Sequence, residues 1–273
     1  MTPASFFPEL RPWVEGLVNV WPAYIVKPQF ASWQVLHILS LVILGGTTIL
    51  LNLRLVGTGL TEEPPSEIHR NLRSWLHLGV VGVIFTGVLI GMANAERLYD
   101  SAAFTAKMVG LLAAVIFTYG VTVPVAKADG VVPPPVWIAV VVGLAIWAAA
   151  LWVFSTGQLI SPGMWHLISA AALIALFVFR ARLRWVFLAG LLALIVAQFI
   201  WTHAFIDAED LVAMDPVNKG FAWAFSAWIL GCAVYAALRR RAGTAGPALQ
   251  LIGWTGILMW VSVAAAGRWI AFA

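Results

Sequence analysis

Five histidines and six methionines are the side chains in this sequence best suited to holding something. Imidazole and thioether together form the ligand set that suits copper, particularly Cu(I). Their placement along the apolar stretches is uneven. His37 stands near the start of the first stretch, His166 at the start of the fifth and His203 at the end of the sixth. Met92, Met108, Met164 and Met214 fall at stretch ends on that same side, whereas Met259 is central in the last stretch. The expected metal ligands are therefore His37, His166, His203, Met92 and Met164. Haem b is the alternative cofactor, since two histidines at matched depth on neighbouring helices can hold its iron. For a haem, Lys107, Arg97 and Gln34 are the expected binding residues. Lys107 can meet a propionate or pair with Glu96 or Asp100. Gln34, one turn before His37, can fix the tautomer of that imidazole. Each of these residues also has a plainer explanation. Methionine fills gaps, lysine snorkels, and a histidine near a helix end can bond at the interface.

The elements that must position these groups are membrane helices. The chain has 273 residues, 62% hydrophobic and 10% charged. Soluble domains carry about 25% charged residues, so too few are present to cover a water-facing surface. Fifteen tryptophans fit the aromatic belts where membrane meets water. A net charge of +4 is too small to suggest nucleic acid. The single cysteine, Cys232, allows no intrachain disulfide. A spanning helix needs about 20 mostly apolar residues. Eight such stretches are expected, over 32–53, 72–93, 104–125, 136–154, 163–179, 185–205, 221–238 and 249–270. The fold class is all-α, an eight-helix bundle forming one domain over 31–273. Residues 1–30, broken by prolines and without a signal-peptide pattern, read as an interfacial segment ahead of it.

Charge bias orients the bundle. Ten Lys and Arg residues with four acids fall on one side, and six Lys and Arg with eight acids on the other. The more basic side is expected to be cytoplasmic. Both termini and the outer histidines are then periplasmic, while His69 and His77 lie toward the cytoplasm. His37 and His77 should stand about 18 Å apart along the membrane normal, too far to share one ligand. Trp33 and His37 in the first stretch and Trp165 and His166 in the fifth allow a 4+4 repeat. No Asp, Glu, Lys or Arg falls in the middle of any stretch, which argues against a proton-coupled carrier. Gly87-x-x-x-Gly91 is a small-residue face suited to close helix packing.

A family resemblance runs through the first three stretches. His37 is followed by Gly45-Gly46. Arg73, Gly79 and Thr86-Gly87 come next, then Phe104-x-x-Lys107. Over about residues 31–125 this resembles the CopD-like integral membrane proteins of copper handling. The resemblance implies copper binding, uptake or delivery at the periplasmic face of a bacterial inner membrane, with His37 as the matched histidine. A periplasmic metal-binding protein would be a partner beside the lipid bilayer. The alternatives are a haem b electron-transfer protein working with a quinone, and a ligand-free membrane scaffold. No catalytic group is picked out, and a non-enzymatic role is expected.

Overall fold

The computed structural model describes residues 1–58, 60–156, 162–179, 181–206, 210–238 and 245–270. The side chains of a few further helical positions, Met164 and His166 among them, lie outside the described residues. The described structure is helical throughout, with eight long helices in sequence order. They are α1 (Phe30–Val56), α2 (Pro65–Ala93) and α3 (Ala102–Phe117, carried on through Thr118–Thr122 and Val123–Lys127). Then come α4 (Val136–Thr156), α5 (Pro162–Val178), α6 (Ala181–Phe205), α7 (Leu211–Leu238) and α8 (Pro247–Trp269). Six of the described helices are long and apolar enough to cross a membrane: α1, α2, α3, α4, α6 and α8. The protein is thus an all-helical chain with six candidate spans. The other two expected spans fall on α5, which has 17 residues, and α7, which carries Asp215, Pro216 and Lys219 in its first third.

Two helices start well before the expected positions, for local reasons. Pro64 is extended, Pro65 takes the first helical position and Glu67 faces the positive end of the helix, so α2 begins seven residues early. The Asp210 carboxylate accepts from the Ala213 amide, and Lys219 pairs with Asp215 one turn on at 2.6 Å. Capping and an i,i+4 pair carry α7 through a stretch whose polar residues suggest a loop.

Helices α1, α2, α3, α4 and α8 pack as one body. Its core includes Leu44, Leu76, Phe117, Ile252, Met259 and Trp260. The last helix returns to the first half and packs on both α1 and α3. Helices α5, α6 and α7 share a second cluster around Phe179, Phe187 and Cys232. Tight crossings depend on glycine. A Cβ on Gly79 would stand 2.8 Å from the Leu44 backbone, so α1 and α2 meet only because none is there.

Within α3 the turn Thr118–Thr122 widens to a π-turn. Pro124 has no N–H to offer and crowds the carbonyl four residues back, which a wider turn relieves. The extra residue fans three polar side chains toward three helices. Thr118 accepts from Trp260 Nε1 of α8 at 3.1 Å. Tyr119 meets His77 of α2 at 2.9 Å. Thr122 donates to Asn52 of α1 at 3.3 Å.

The N-terminal segment folds back as short turns, Pro3–Phe6, Arg11–Gly16 and Ala23–Val26 among them, against the end of α2 and the short helix Ala95–Tyr99. The Tyr99 hydroxyl donates to the Phe7 carbonyl. Arg11 grips Asp100 with both terminal nitrogens, at 2.6 and 3.2 Å, and lies over the Tyr99 ring.

Candidate functional site

One cavity of about 700 Å³ opens where the N-terminal segment covers the ends of α1, α2, α3 and α8. That size suits a small organic molecule. Its wall is mostly aliphatic, with Leu41, Val83, Val88, Leu111 and Val263 among the lining, and Trp13, Val14 and Leu17 contributed by the N-terminal segment. His37, Lys107, Gln34, Asn94, Arg97 and Arg268 supply polarity, and among the described residues no Asp or Glu lines it.

His37, buried, and Lys107, half-buried, form the polar centre of this wall. His37 Nδ1 is 2.8 Å from Thr86 Oγ1, and His37 Nε2 is 3.3 Å from Lys107 Nζ. The direction of each bond follows from counting hydrogens. Thr86 donates its only hydroxyl proton to the Gly82 carbonyl at 2.5 Å, as threonines inside helices do. Its oxygen can therefore only accept from His37, so Nδ1 carries the proton. Nε2 is left with a lone pair, which accepts from the Lys107 amine. The imidazole is neutral, held by both nitrogens, and 8% exposed.

Two glycines make room for the pair. A Cβ on Gly87 would stand 3.3 Å from His37 Cε1. A Cβ on Gly267 of α8 would stand 3.4 Å from Lys107 Cε. The Thr86-Gly87 step thus has a local role: one residue orients the imidazole and the next leaves space for it.

The sequence-predicted site residues separate into three groups. His37, Lys107, Arg97, Gln34 and Met92 all line the cavity, and Met108 joins them. Lys107 pairs with His37 rather than with Glu96 or Asp100, because Arg11 already holds Asp100. The tautomer of His37 is set by Thr86 of α2, not by Gln34 on its own helix. His203 goes elsewhere. It is exposed on α6, with Nδ1 3.0 Å from the carbonyl of Phe199 and its ring stacked on that phenylalanine at 4.1 Å. Helix α6 packs chiefly on α7, away from α1. The side chains of His166 and Met164 lie outside the described residues. Among the described residues no group of three or more His, Cys, Asp or Glu is placed to hold a metal ion. Gln198 donates to Asn218 across the α6–α7 contact at 3.1 Å.

His77 is remote from the cavity. It is exposed and stacks in parallel on Tyr119, with centroids 5.7 Å apart. It stands nine residues before Thr86 on α2, about 13 Å along the helix axis. Sequence reasoning missed Thr86 and Gly267 as supports, Tyr99 and Asn94 as lining, and the N-terminal segment as a cover. A threonine four residues from a glycine inside an apolar helix was the one available signal, and it does not name its partner.

Comparison with known proteins adds one finding. No curated protein and no solved structure matches this chain. A family model matches residues 26–163, just over half the chain, and that stretch carries His37, Thr86, Gly87 and Lys107. The chain belongs to a family of unknown function, DUF6644.

Proposed function

We propose that this is a multi-pass membrane protein that binds a small amphipathic molecule in the cavity under its N-terminal segment. The observation that carries this reading is the Lys107–His37 pair, its imidazole buried and its lysine half-buried, set into a mostly aliphatic wall. A polar pair of this kind is costly in lipid unless it meets a partner, and the apolar remainder suits a hydrocarbon body. The proposal includes eight transmembrane helices, a 4+4 repeat, and an orientation with both termini periplasmic in a bacterial inner membrane. Eight apolar stretches support the helix count, the Trp-His pairs of the first and fifth stretches support the repeat, and charge bias supports the orientation. Reporter fusions after Arg241 and after Asp210 test the orientation, with cytoplasmic and periplasmic signals expected respectively.

The test of binding is extraction. Protein purified in mild detergent should release one lipophilic molecule per chain into organic solvent, identified by mass spectrometry. Loss of that molecule from the Lys107→Gln variant is expected. Wild-type protein that yields only bulk phospholipid in every preparation would sink the reading.

Copper handling is the second reading. Met92 and Met108 line the same cavity as His37, which gives a soft ligand set. That reading requires the metal to replace Lys107 at Nε2, a position where an ammonium repels it. Haem ligation meets the same obstacle, since iron also needs that nitrogen. Elemental analysis and a visible spectrum of the purified protein separate the two, through bound copper or a Soret band.

A further inference from the structure

We infer that the ligand of this cavity carries a carboxylate, and that its head sits on Lys107 with its hydrocarbon body toward the lipid. The inference rests on the binding reading above and names the ligand class. Lys107 has three N–H donors when charged, and one is directed at His37. His37 is held neutral by the Thr86–Gly82 chain, so it offers a lone pair and no countercharge. Among the described residues no carboxylate pairs with Lys107, and the lining contains none. An ammonium in an apolar wall is costly without an opposite charge, and a neutral hydroxyl or carbonyl head does not supply one. A carboxylate does, and it can accept the two remaining N–H groups. Arg97 and Arg268 line the same cavity and raise its positive potential, while each is already engaged within the protein.

The body of the ligand has a clear direction. Ile38 of α1 and Ile84 and Val88 of α2 line the cavity and are also about half exposed. The wall they form is the one open to the surrounding lipid. His37 functions as a positioning residue. It accepts a hydrogen bond from one Lys107 N–H and so aims the other two inward, with Gly267 leaving room for the lysine stem. Two sources share this chemistry, a free long-chain fatty acid and a haem propionate.

The experiment uses the full chain in nonionic detergent at pH 8, titrated separately with palmitic acid, hexadecanol and haemin. Palmitate should bind at least tenfold tighter than hexadecanol to wild-type protein. Lys107→Gln should erase that difference, and Lys107→Arg should keep most of it. Because the acid–alcohol ratio is read on wild-type protein, the test survives a variant that fails to fold. Haemin binding that palmitate displaces supports the same carboxylate site, and tight haemin with weak palmitate assigns the carboxylate to a propionate. Equal binding of palmitate and hexadecanol overturns the carboxylate class and leaves the broader binding reading standing. Failure of all three probes to bind overturns that reading as well.

Discussion

His37 and His203 look alike in the sequence: each sits near a helix end, close to a tryptophan, on the side poor in basic residues. Their surroundings differ entirely. His37 is wedged where α1 crosses α2, with Thr86 on one nitrogen, Lys107 on the other and Gly87 beside its ring. His203 is exposed and bonds back to its own helix. The difference comes from what the neighbouring helices bring. The region around α1 and α2 has a backbone crossing closed by Gly79, which places α2 side chains within reach of α1. Among the described residues the partners of His203 come from α6 itself, so the imidazole satisfies one nitrogen locally.

The largest expected effect tests that crossing. Gly79→Val should force α1 and α2 apart and cost about 3 kcal/mol or more, as overpacking does. The check is thermal denaturation in detergent. Gly231→Ala in α7, where a Cβ meets nothing within 4 Å, should be neutral or slightly stabilising. Equal losses at both positions would break the comparison.

Removal of the two histidines comes next. His37→Ala leaves Lys107 without its acceptor and opens a gap at a crossing, so it should cost about 1–3 kcal/mol. His203→Ala should stay within about 0.5 kcal/mol, as exposed substitutions usually do. Paired melting curves decide this, and a costly His203→Ala would place a partner there that the described residues do not include.

A smaller effect sharpens the picture of the α6–α7 contact. Asn218→Leu removes the acceptor of Gln198 and should cost about 0.6 kcal/mol, typical of an interhelical hydrogen bond in a membrane protein. It should leave palmitate affinity unchanged, because neither residue lines the cavity.

The smallest effect is at the opposite end of α2. Asp129 accepts from the side chain of Ser66 and from its amide, the latter at 3.0 Å, and together these hold its carboxyl below the usual aspartate value. A lowered value means that its contribution is complete above the ordinary aspartate range and is lost as pH falls through the lowered one. Asp129→Asn should therefore lower the plateau above pH 5 slightly and flatten the acid limb of the stability profile, as read from melting curves across pH.

Much of the architecture was legible from composition. Long apolar runs separated by charges and prolines give helices, because backbone polar groups in lipid must be satisfied within their own segment. The early starts of α2 and α7 were not, since capping by Pro64-Pro65 and Asp210 competes with the loop signals of Glu62, Glu63, Pro216 and Asn218. His37 and Lys107 were each visible as unusual groups at helix ends. Their meeting was not, because it depends on the rotation of α1 against α3 and on Gly267 of α8, some 160 residues from Lys107.

By itself the sequence determined an all-helical chain with helices long and apolar enough to cross a membrane, and with its unusual imidazole and cations near helix ends. The reason is that hydropathy and charge act locally, over one turn or one span. Only the tertiary structure decided which of those groups share a cavity, which nitrogen of His37 carries the proton, and that the N-terminal segment covers the opening. Those features arise where helices distant in sequence touch, and there a side chain's partner is set by crossing geometry rather than by its neighbours along the chain.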